Sequence, residues 1–197
     1  MKIIKNVLTS CLFAICSVGL AQDYKQNIEV EFTEYLNSIV NMEFEKSMEF
    51  ITPEFFELVP KSQMIQLMEQ TFNNPTMDFE IKNPKILAIN DFQKIEGKYY
   101  SLLTYSNQLD IKMRSEEKET VEERKLRLNL INAAFGKTFG LENVIYNDEA
   151  EVFEIQSQKD VYAISINGET EWKFLVIEKN QKMILEKILP KELSEKI

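Results

Sequence analysis

The sequence predicts an α+β fold in which N-terminal helices pack on a mostly antiparallel sheet. Apolar residues recur at helical spacing up to about residue 72, and the period changes to two from Met77 onward. One helical segment, near residues 117–139, interrupts the strands. Because helices and strands are segregated along the chain, the pattern favours α+β over an alternating α/β architecture.

The first 21 residues have the pattern of a cleaved secretory signal. Lys2 and Lys5 give a positive start, and residues 7–20 are nearly all apolar or small. This stretch is shorter than the roughly 20 residues that a membrane-spanning helix needs, so a retained anchor is the weaker interpretation. We therefore expect an exported protein, periplasmic or secreted.

The cleavage site is predicted between Ala21 and Gln22. Val18 and Ala21 supply the small side chains that a signal peptidase needs three residues and one residue before the cut. Residues 22–197 are then expected to form a single α+β domain without a membrane span. The alternative is a lipoprotein modified at Cys11, but too few residues precede Cys11 to form an apolar segment before that cut.

The counts of reactive side chains exclude several kinds of chemistry. The chain has no histidine, and both of its cysteines, Cys11 and Cys16, precede the predicted cleavage site. A Ser-His-Asp nucleophile, a thiolate nucleophile and a metal held by histidine or thiolate are therefore excluded from the domain. We expect no cofactor and no tightly bound zinc, iron or copper.

The negative charge disfavours nucleic acid and anionic lipid as partners. The net charge is −9, and loss of Lys2 and Lys5 with the signal changes it to −11. Such a balance repels phosphate groups. The expected partners are instead a small apolar ligand or another protein of the cell envelope.

The helical spacing before residue 73 predicts several consecutive helices. Apolar residues are spaced helically over residues 28–39, 44–51 and 64–72. Thr52 followed by Pro53 predicts a further helix start, with Thr52 as the N-cap and Pro53 at the first helical position.

Alternating apolar residues then predict the strands. The predicted strands cover residues 77–82, 86–89, 95–113, 143–146, 152–155, 161–166 and 172–177. A bulge or bend is expected near Ser106-Asn107. Asn167-Gly168 is a strong signal for a short hairpin, and a last helix is expected around residues 183–189.

The inserted helix near residues 117–139 carries two motifs that invite other interpretations. The acidic residues between Glu116 and Glu123 lack the alternating ligands and the glycine of a calcium loop, so they are interpreted as a solvated helix start. Gly136-Lys137-Thr138 lacks the strand and the first glycine of a phosphate loop, so Gly136 is interpreted as a helix cap.

The order of these elements resembles the nuclear transport factor 2-like superfamily, which includes SnoaL-like and ketosteroid-isomerase-like proteins. The resemblance rests on the N-terminal helices, on the turn Thr52-Pro53-Glu54-Phe55-Phe56 and on the long sheet. It also rests on a strand Trp172-Lys173-Phe174 that precedes the segment from Leu185 to Pro190. It covers residues 25–190, and the helix near residues 117–139 is an addition to the minimal pattern.

The resemblance implies a curved, cone-shaped sheet with an apolar pocket inside it. The residues expected to line this pocket are Tyr35, Phe55, Tyr99, Tyr105 and Trp172. The resemblance also allows Tyr35 to donate to an oxyanion with Asp110 as its acid partner. From the residues alone, Tyr35 is a core tyrosine and Asp110 is an outward, solvated carboxylate.

Two functions from different classes remain. The first is a noncatalytic binding or accessory domain of the cell envelope that holds a small apolar ligand or a partner protein. The second is a cofactor-free isomerase, hydratase or cyclase that uses Asp or Glu together with Tyr in the pocket. The absence of histidine and of a well-placed pair of acids favours the first.

Overall fold

The structure is a computed structural model that describes residues 23–114 and 119–197. The predicted signal, its cleavage site, Cys11 and the acids Glu116 and Glu117 lie outside the described residues. The described residues form an α+β fold with N-terminal helices and an open, six-stranded antiparallel sheet. The prediction of helices followed by an antiparallel sheet is confirmed.

The elements follow in this order. The helices are α1 (23–40), α2 (Phe44–Ser47), α3 (Pro53–Phe56), α4 (Lys61–Phe72), α5 (Val121–Phe139), α6 (Lys182–Ile188) and α7 (Lys191–Ser194). The strands are β1 (Met77–Ile89), β2 (Gln93–Ile95), β3 (Lys98–Met113), β4 (Val144–Asn147), β5 (Val152–Ser165) and β6 (Lys173–Val176). Short 3-10 turns cover Met48–Phe50, Leu141–Asn143 and Lys179–Gln181.

The sheet is built around the long central pair β3 and β5. The strand order is β1-β3-β5-β4, with β2 paired to β3 and β6 paired to β5. The register of β3 and β5 is unbroken from Tyr99 opposite Ser165 to Ile111 opposite Phe153. This pair therefore sets which side chains of the two strands share a face.

Strand β5 is continuous where the sequence predicted two strands, over residues 152–155 and 161–166. The intervening residues are polar, but β3 presents polar residues opposite them. Thr104 Oγ1 donates to Asp160 Oδ1 at 2.7 Å, and Gln156 Nε2 donates to Gln108 Oε1 at 3.1 Å. Polar cross-strand pairs thus continue the ladder through a segment that has no apolar alternation.

The predicted bulge lies in β1 and not in β3. β3 keeps its register with β5 at Ser106 and Asn107, whereas β1 shifts register between Lys82 and Lys85. Asn83 there has a left-handed φ of +51°, and Pro84 follows it. Asparagine tolerates this conformation and proline has no N–H for the ladder, so the irregularity belongs to β1.

Helices α1 and α5 pack on one face of the sheet, named here the α1 face. Near one end, a cluster joins α1 to the sheet and contains Ile28, Phe32, Tyr35, Leu103, Val161, Trp172 and Phe174. Near the other end, α5 side chains pack against Ile111 and Phe153. The expectation that an N-terminal helix packs on the sheet is confirmed, and Trp172 and Phe174 lie in the same cluster.

Helices α6 and α7 pack on the opposite face, named here the α6 face. Leu185, Leu189 and Leu193 join Tyr100 and Tyr162 in a second buried cluster. The predicted helix at residues 183–189 corresponds to α6. Pro190 then starts the short helix α7, which the sequence did not predict.

The connection between β5 and β6 is longer than the predicted short hairpin. The two strands pair antiparallel, but residues 166–172 form the loop between them. Asn167 Oδ1 accepts from the backbone N–H groups of Glu169 and Thr170, which stabilises this longer loop. Gly168 has a φ of +76° and packs against the Tyr99 ring.

Helix α5 begins later than the predicted residue 117 and ends at the predicted residue 139. A capping box between Thr120 and Glu123 starts it at Val121. Gly136 lies inside the helix in contact with Leu141, and Gly140, with a φ of +94°, is the C-cap. The cap prediction is therefore correct in residue type and wrong in position.

Candidate functional site

A cleft of about 420 Å³ lies on the α1 face, beside the C-terminal ends of α1 and α5. We name it the α1–α5 cleft. Its lining residues come from α1 (Leu36, Ile39, Val40), β1 (Ile81, Pro84), β3 (Tyr105, Asn107, Leu109), α5 (Thr138, Phe139), β5 (Ser157, Lys159) and the segment after β6 (Glu178, Asn180, Gln181).

Asn107 and Ser157 are the polar residues of the cleft that the strands bury most deeply. They lie directly opposite each other on β3 and β5, and their exposed fractions are 7% and 8%. Neither side chain makes a hydrogen bond within the described residues. Among the described residues, no polar side-chain atom is both fully buried and without a hydrogen bond. The polar atoms of Asn107 and Ser157 are therefore accessible from the open space that these residues line.

Because these polar atoms reach the open cleft, water or a bound molecule can supply their hydrogen bonds. A molecule that displaced the water without replacing those hydrogen bonds would leave the two groups unpaired, at a cost of about 1–3 kcal/mol each. Both side chains point to the α1 face. The neighbouring residues on that face, Leu109 on β3 and Ile155 on β5, are apolar. The cleft therefore offers an amide and a hydroxyl, each able to donate and to accept, to a molecule that enters it.

Asn107 and Ser157 were not among the site residues predicted from the sequence. The signal was an interruption of apolar alternation on the inward face of two strands. It becomes informative only when the register is known, because Asn107 and Ser157 are far apart in sequence and adjacent in the sheet.

The charged residues of the cleft neutralise each other. Lys159 Nζ lies 2.8 Å from Glu178 Oε1 and donates to Glu178 Oε2 at 3.0 Å. Both side chains are about one-third exposed. The ion pair therefore forms a neutral, partly solvated edge of the cleft.

Tyr105 lies beside this pair and keeps its proton at neutral pH. Burial raises the pKa of its phenol to about 12, and the negative charge of Glu178 contributes in the same direction. The Tyr105 hydroxyl makes no hydrogen bond within the described part of the chain. A protonated phenol can donate to a carbonyl or a developing oxyanion.

A second cavity of about 340 Å³ lies between the N-terminal helices, β6 and α6. Tyr35 and Phe55 line it, and Glu178 and Gln181 line both this cavity and the α1–α5 cleft. Burial raises the pKa of Tyr35, with Tyr105 as a smaller cause, so its phenol is also protonated. Helix α4 contributes to the wall although none of its side chains is fully buried.

The five residues predicted to line a pocket are distributed over three places. Tyr35 and Phe55 line the second cavity, and Tyr105 lines the α1–α5 cleft. Tyr99 packs edge-on against Phe92, with 4.9 Å between ring centroids, and lines neither cavity. Trp172 is fully buried in the α1-face core, and its Nε1 donates to the Glu169 carbonyl at 3.1 Å.

The structure does not bring Tyr35 and Asp110 together. Tyr35 packs on the α1 face, whereas Asp110 alternates with the α1-face residue Ile111 and therefore points to the α6 face. The expectation of a solvated carboxylate is also wrong, because Asp110 is only 8% exposed. Lys82 Nζ donates to Asp110 at 2.7 Å and Gln108 Nε2 donates at 2.6 Å.

Two of the described acids near the start of α5, Glu119 and Glu123, have structural partners. Glu119 accepts two hydrogen bonds of 2.9 Å from Arg127, and Glu123 belongs to the capping box. Over residues 23–114 and 119–197, no group of three or more carboxylate, thiol or imidazole side chains is arranged to hold a metal ion.

None of the helices in the described ranges combines the length and the apolar character needed to cross a bilayer. Comparisons with known protein families, with curated proteins and with solved structures find no match to this chain.

Proposed function

We propose that the chain is an exported, noncatalytic binding domain of the cell envelope and that its α1–α5 cleft holds a small apolar ligand. One observation carries the proposal: Asn107 and Ser157, both more than nine-tenths buried, line the cleft without side-chain hydrogen-bond partners among the described residues. A ligand would supply the missing partners. A partner protein is the less favoured occupant, because the two groups lie at the floor of a cleft and not on an open surface.

The size and the walls of the cleft support a small molecule. Ligand sites commonly enclose about 300–1,000 Å³ and are lined mainly by apolar side chains with a few polar groups. The α1–α5 cleft has about 420 Å³, and its apolar walls include Leu36, Ile39, Leu109 and Phe139. The described part of the cleft therefore has the composition expected of a site for a mostly apolar molecule.

Site-directed labelling tests the proposal. Val40 and Val30 are both exposed residues of α1, but only Val40 lines the cleft. In a full-length chain carrying C11S and C16S, the V40C and V30C variants are each labelled with a bulky maleimide. We expect the label at position 40 to abolish binding of the neutral apolar dye N-phenyl-1-naphthylamine, and the label at position 30 to leave it unchanged.

The outcome of this experiment decides between the cleft and other sites. Dye fluorescence that is equal for both labelled variants would contradict binding in the α1–α5 cleft. A wild-type chain that does not bind the dye would contradict the proposed function itself.

Export is part of the same proposal. It is supported by the pattern of the first 21 residues. The secreted protein is expected to begin at Gln22, cyclised to pyroglutamate. Intact-mass spectrometry checks this, and a mass that retains residues 1–21 or a lipid on Cys11 would contradict it.

Membership of the nuclear transport factor 2-like superfamily also remains a proposal. It is supported by N-terminal helices that pack on one face of an antiparallel sheet. The sheet is open, so the cone-shaped form of that fold is proposed and not observed. A crystal structure whose strand order differs from that of the superfamily would reject the relationship.

A second candidate function, a cofactor-free isomerase, hydratase or cyclase, is favoured by one observation. Tyr105 and Glu178 line the same cleft, so a hydrogen-bond donor and a carboxylate lie near one bound molecule. It is the weaker candidate because both oxygens of Glu178 already contact Lys159 Nζ. Catalysed deuterium uptake by an apolar ketone in heavy water, lost in E178Q and reduced in Y105F, would support it.

A further inference from the structure

Two groups of polar residues line the α1–α5 cleft, uncharged residues without side-chain hydrogen bonds and a pair of opposite charges. Asn107, Ser157 and Tyr105 are uncharged and make no side-chain hydrogen bond within the described residues. The charged residues in the described lining, Lys159 and Glu178, are paired with each other at 2.8 Å. The groups that lack partners are therefore all neutral.

From this separation we infer that the ligand is a neutral amphipathic molecule with an uncharged head group that both donates and accepts hydrogen bonds, such as a primary amide or an alcohol. The Asn107 amide and the Ser157 hydroxyl each offer a donor and an acceptor. An amide or hydroxyl head placed between them satisfies both, and the apolar body then contacts Ile39, Leu109 and Phe139. This inference rests on the proposed function of the cleft.

A charged head group is disfavoured whichever sign it carries. A carboxylate that bound Lys159 would have to share its ammonium group with Glu178, which brings two negative charges together beside a lysine whose charge is already paired. An ammonium group would have the converse effect, because it would compete with Lys159 for Glu178. A neutral head leaves the ion pair intact.

Competition among ligands with the same eight-carbon chain tests the inference. Octanamide, octanoate and octylammonium are each titrated against bound N-phenyl-1-naphthylamine on the full chain at neutral pH. We expect octanamide to displace the dye about tenfold more effectively than either ion, which corresponds to one or two added hydrogen bonds. Equal or stronger displacement by octanoate or octylammonium would overturn the inference.

Two variants test whether the named residues cause the preference. S157A is expected to weaken octanamide binding about three- to tenfold, because it removes one hydrogen-bonding group. S106A is its matched control, because Ser106 lies on the neighbouring strand β3 and points to the α6 face, and it should leave the affinity unchanged. An unchanged octanamide affinity in S157A would contradict the role of the cleft floor.

A third variant tests the charge argument. E178Q leaves Lys159 without its carboxylate partner, so the affinity for octanoate relative to octanamide is expected to rise about tenfold. An unchanged ratio would contradict the argument that the ion pair excludes anions.

The failure of this inference is distinguishable from the failure of the proposed function. If the dye binds in the cleft but all three octyl compounds displace it equally, only the head-group assignment is wrong. If the dye does not bind, or if the label at position 40 has no effect on it, the cleft is not the binding site.

Discussion

Trp172 is the largest fully buried side chain of the described residues, and its indole N–H is hydrogen-bonded. We expect W172A to lower the free energy of unfolding by about 3–5 kcal/mol, the usual range when a large buried aromatic side chain is removed. Urea unfolding followed by circular dichroism measures this, because the variant lacks the only tryptophan. W172F should lose less, and a change below about 1 kcal/mol in W172A would contradict its role in the core.

Gly168 and Gly97 form a matched pair of glycines. Both have positive φ, +76° and +86°, but a Cβ on Gly168 would lie 2.7 Å from the Tyr99 ring, whereas one on Gly97 would meet no atom within 4 Å. G97A is expected to destabilise the fold by about 1–2 kcal/mol through its backbone alone. G168A should cost at least about 1 kcal/mol more, because the ring must also move.

Thermal or urea unfolding of both glycine variants measures the difference. Replacing Tyr99 by alanine removes the obstructing ring, so the difference between G168A and G97A should then largely disappear. A difference that persists in the Y99A background would show that Tyr99 is not its cause.

At the scale of one element, the start of helix α5 should make stability depend on pH. The pKa of Glu123 lies below its ordinary value of about 4.5, because its carboxylate accepts hydrogen bonds from Thr120. The backbone N–H of Thr120 is the larger cause and its hydroxyl the smaller one. A carboxyl with a lowered pKa in the folded state contributes stability above the unfolded pKa and loses it as the pH falls. Stability should therefore decrease below about pH 4.5, and less so in E123Q.

Two variants complete this test. T120A is expected to lower stability by about 0.5–2 kcal/mol at neutral pH, as loss of an N-cap generally does. E122Q changes the neighbouring acid, which has no hydrogen bond within the described residues, and should follow the wild-type pH profile. An E123Q profile identical to that of the wild type would contradict the capping argument.

The helices and strands themselves could mostly be predicted because their signals are local. The spacing of Ile28, Phe32 and Tyr35 requires only a helix of ordinary geometry, and these residues are indeed buried together. Thr52 and Pro53 likewise start α3 as predicted. The bulge was placed in the wrong strand, because a turn signal does not reveal which of two paired strands carries the extra residue.

At the scale of the whole molecule, the candidate site depends on information that the local signals lack. Asn107 faces Ser157 only because β3 and β5 pair in one particular register. Lys159 meets Glu178 only because the chain returns along β6 after the loop at residues 166–172. Tyr105 was expected to line a pocket because of the resemblance, whereas its neighbours in the cleft follow from the assembled sheet.

The irregular strand β1 has a consequence for how copies of the molecule behave toward one another. As the outermost strand beside β3, it carries backbone groups that a strand from another copy could pair with. Its two register shifts, its proline at position 84 and the lysines at positions 82 and 85 interrupt any such continuous pairing. The segment that contributes Pro84 to the wall of the cleft thereby also disfavours edge-to-edge pairing of β1 with a strand of another copy.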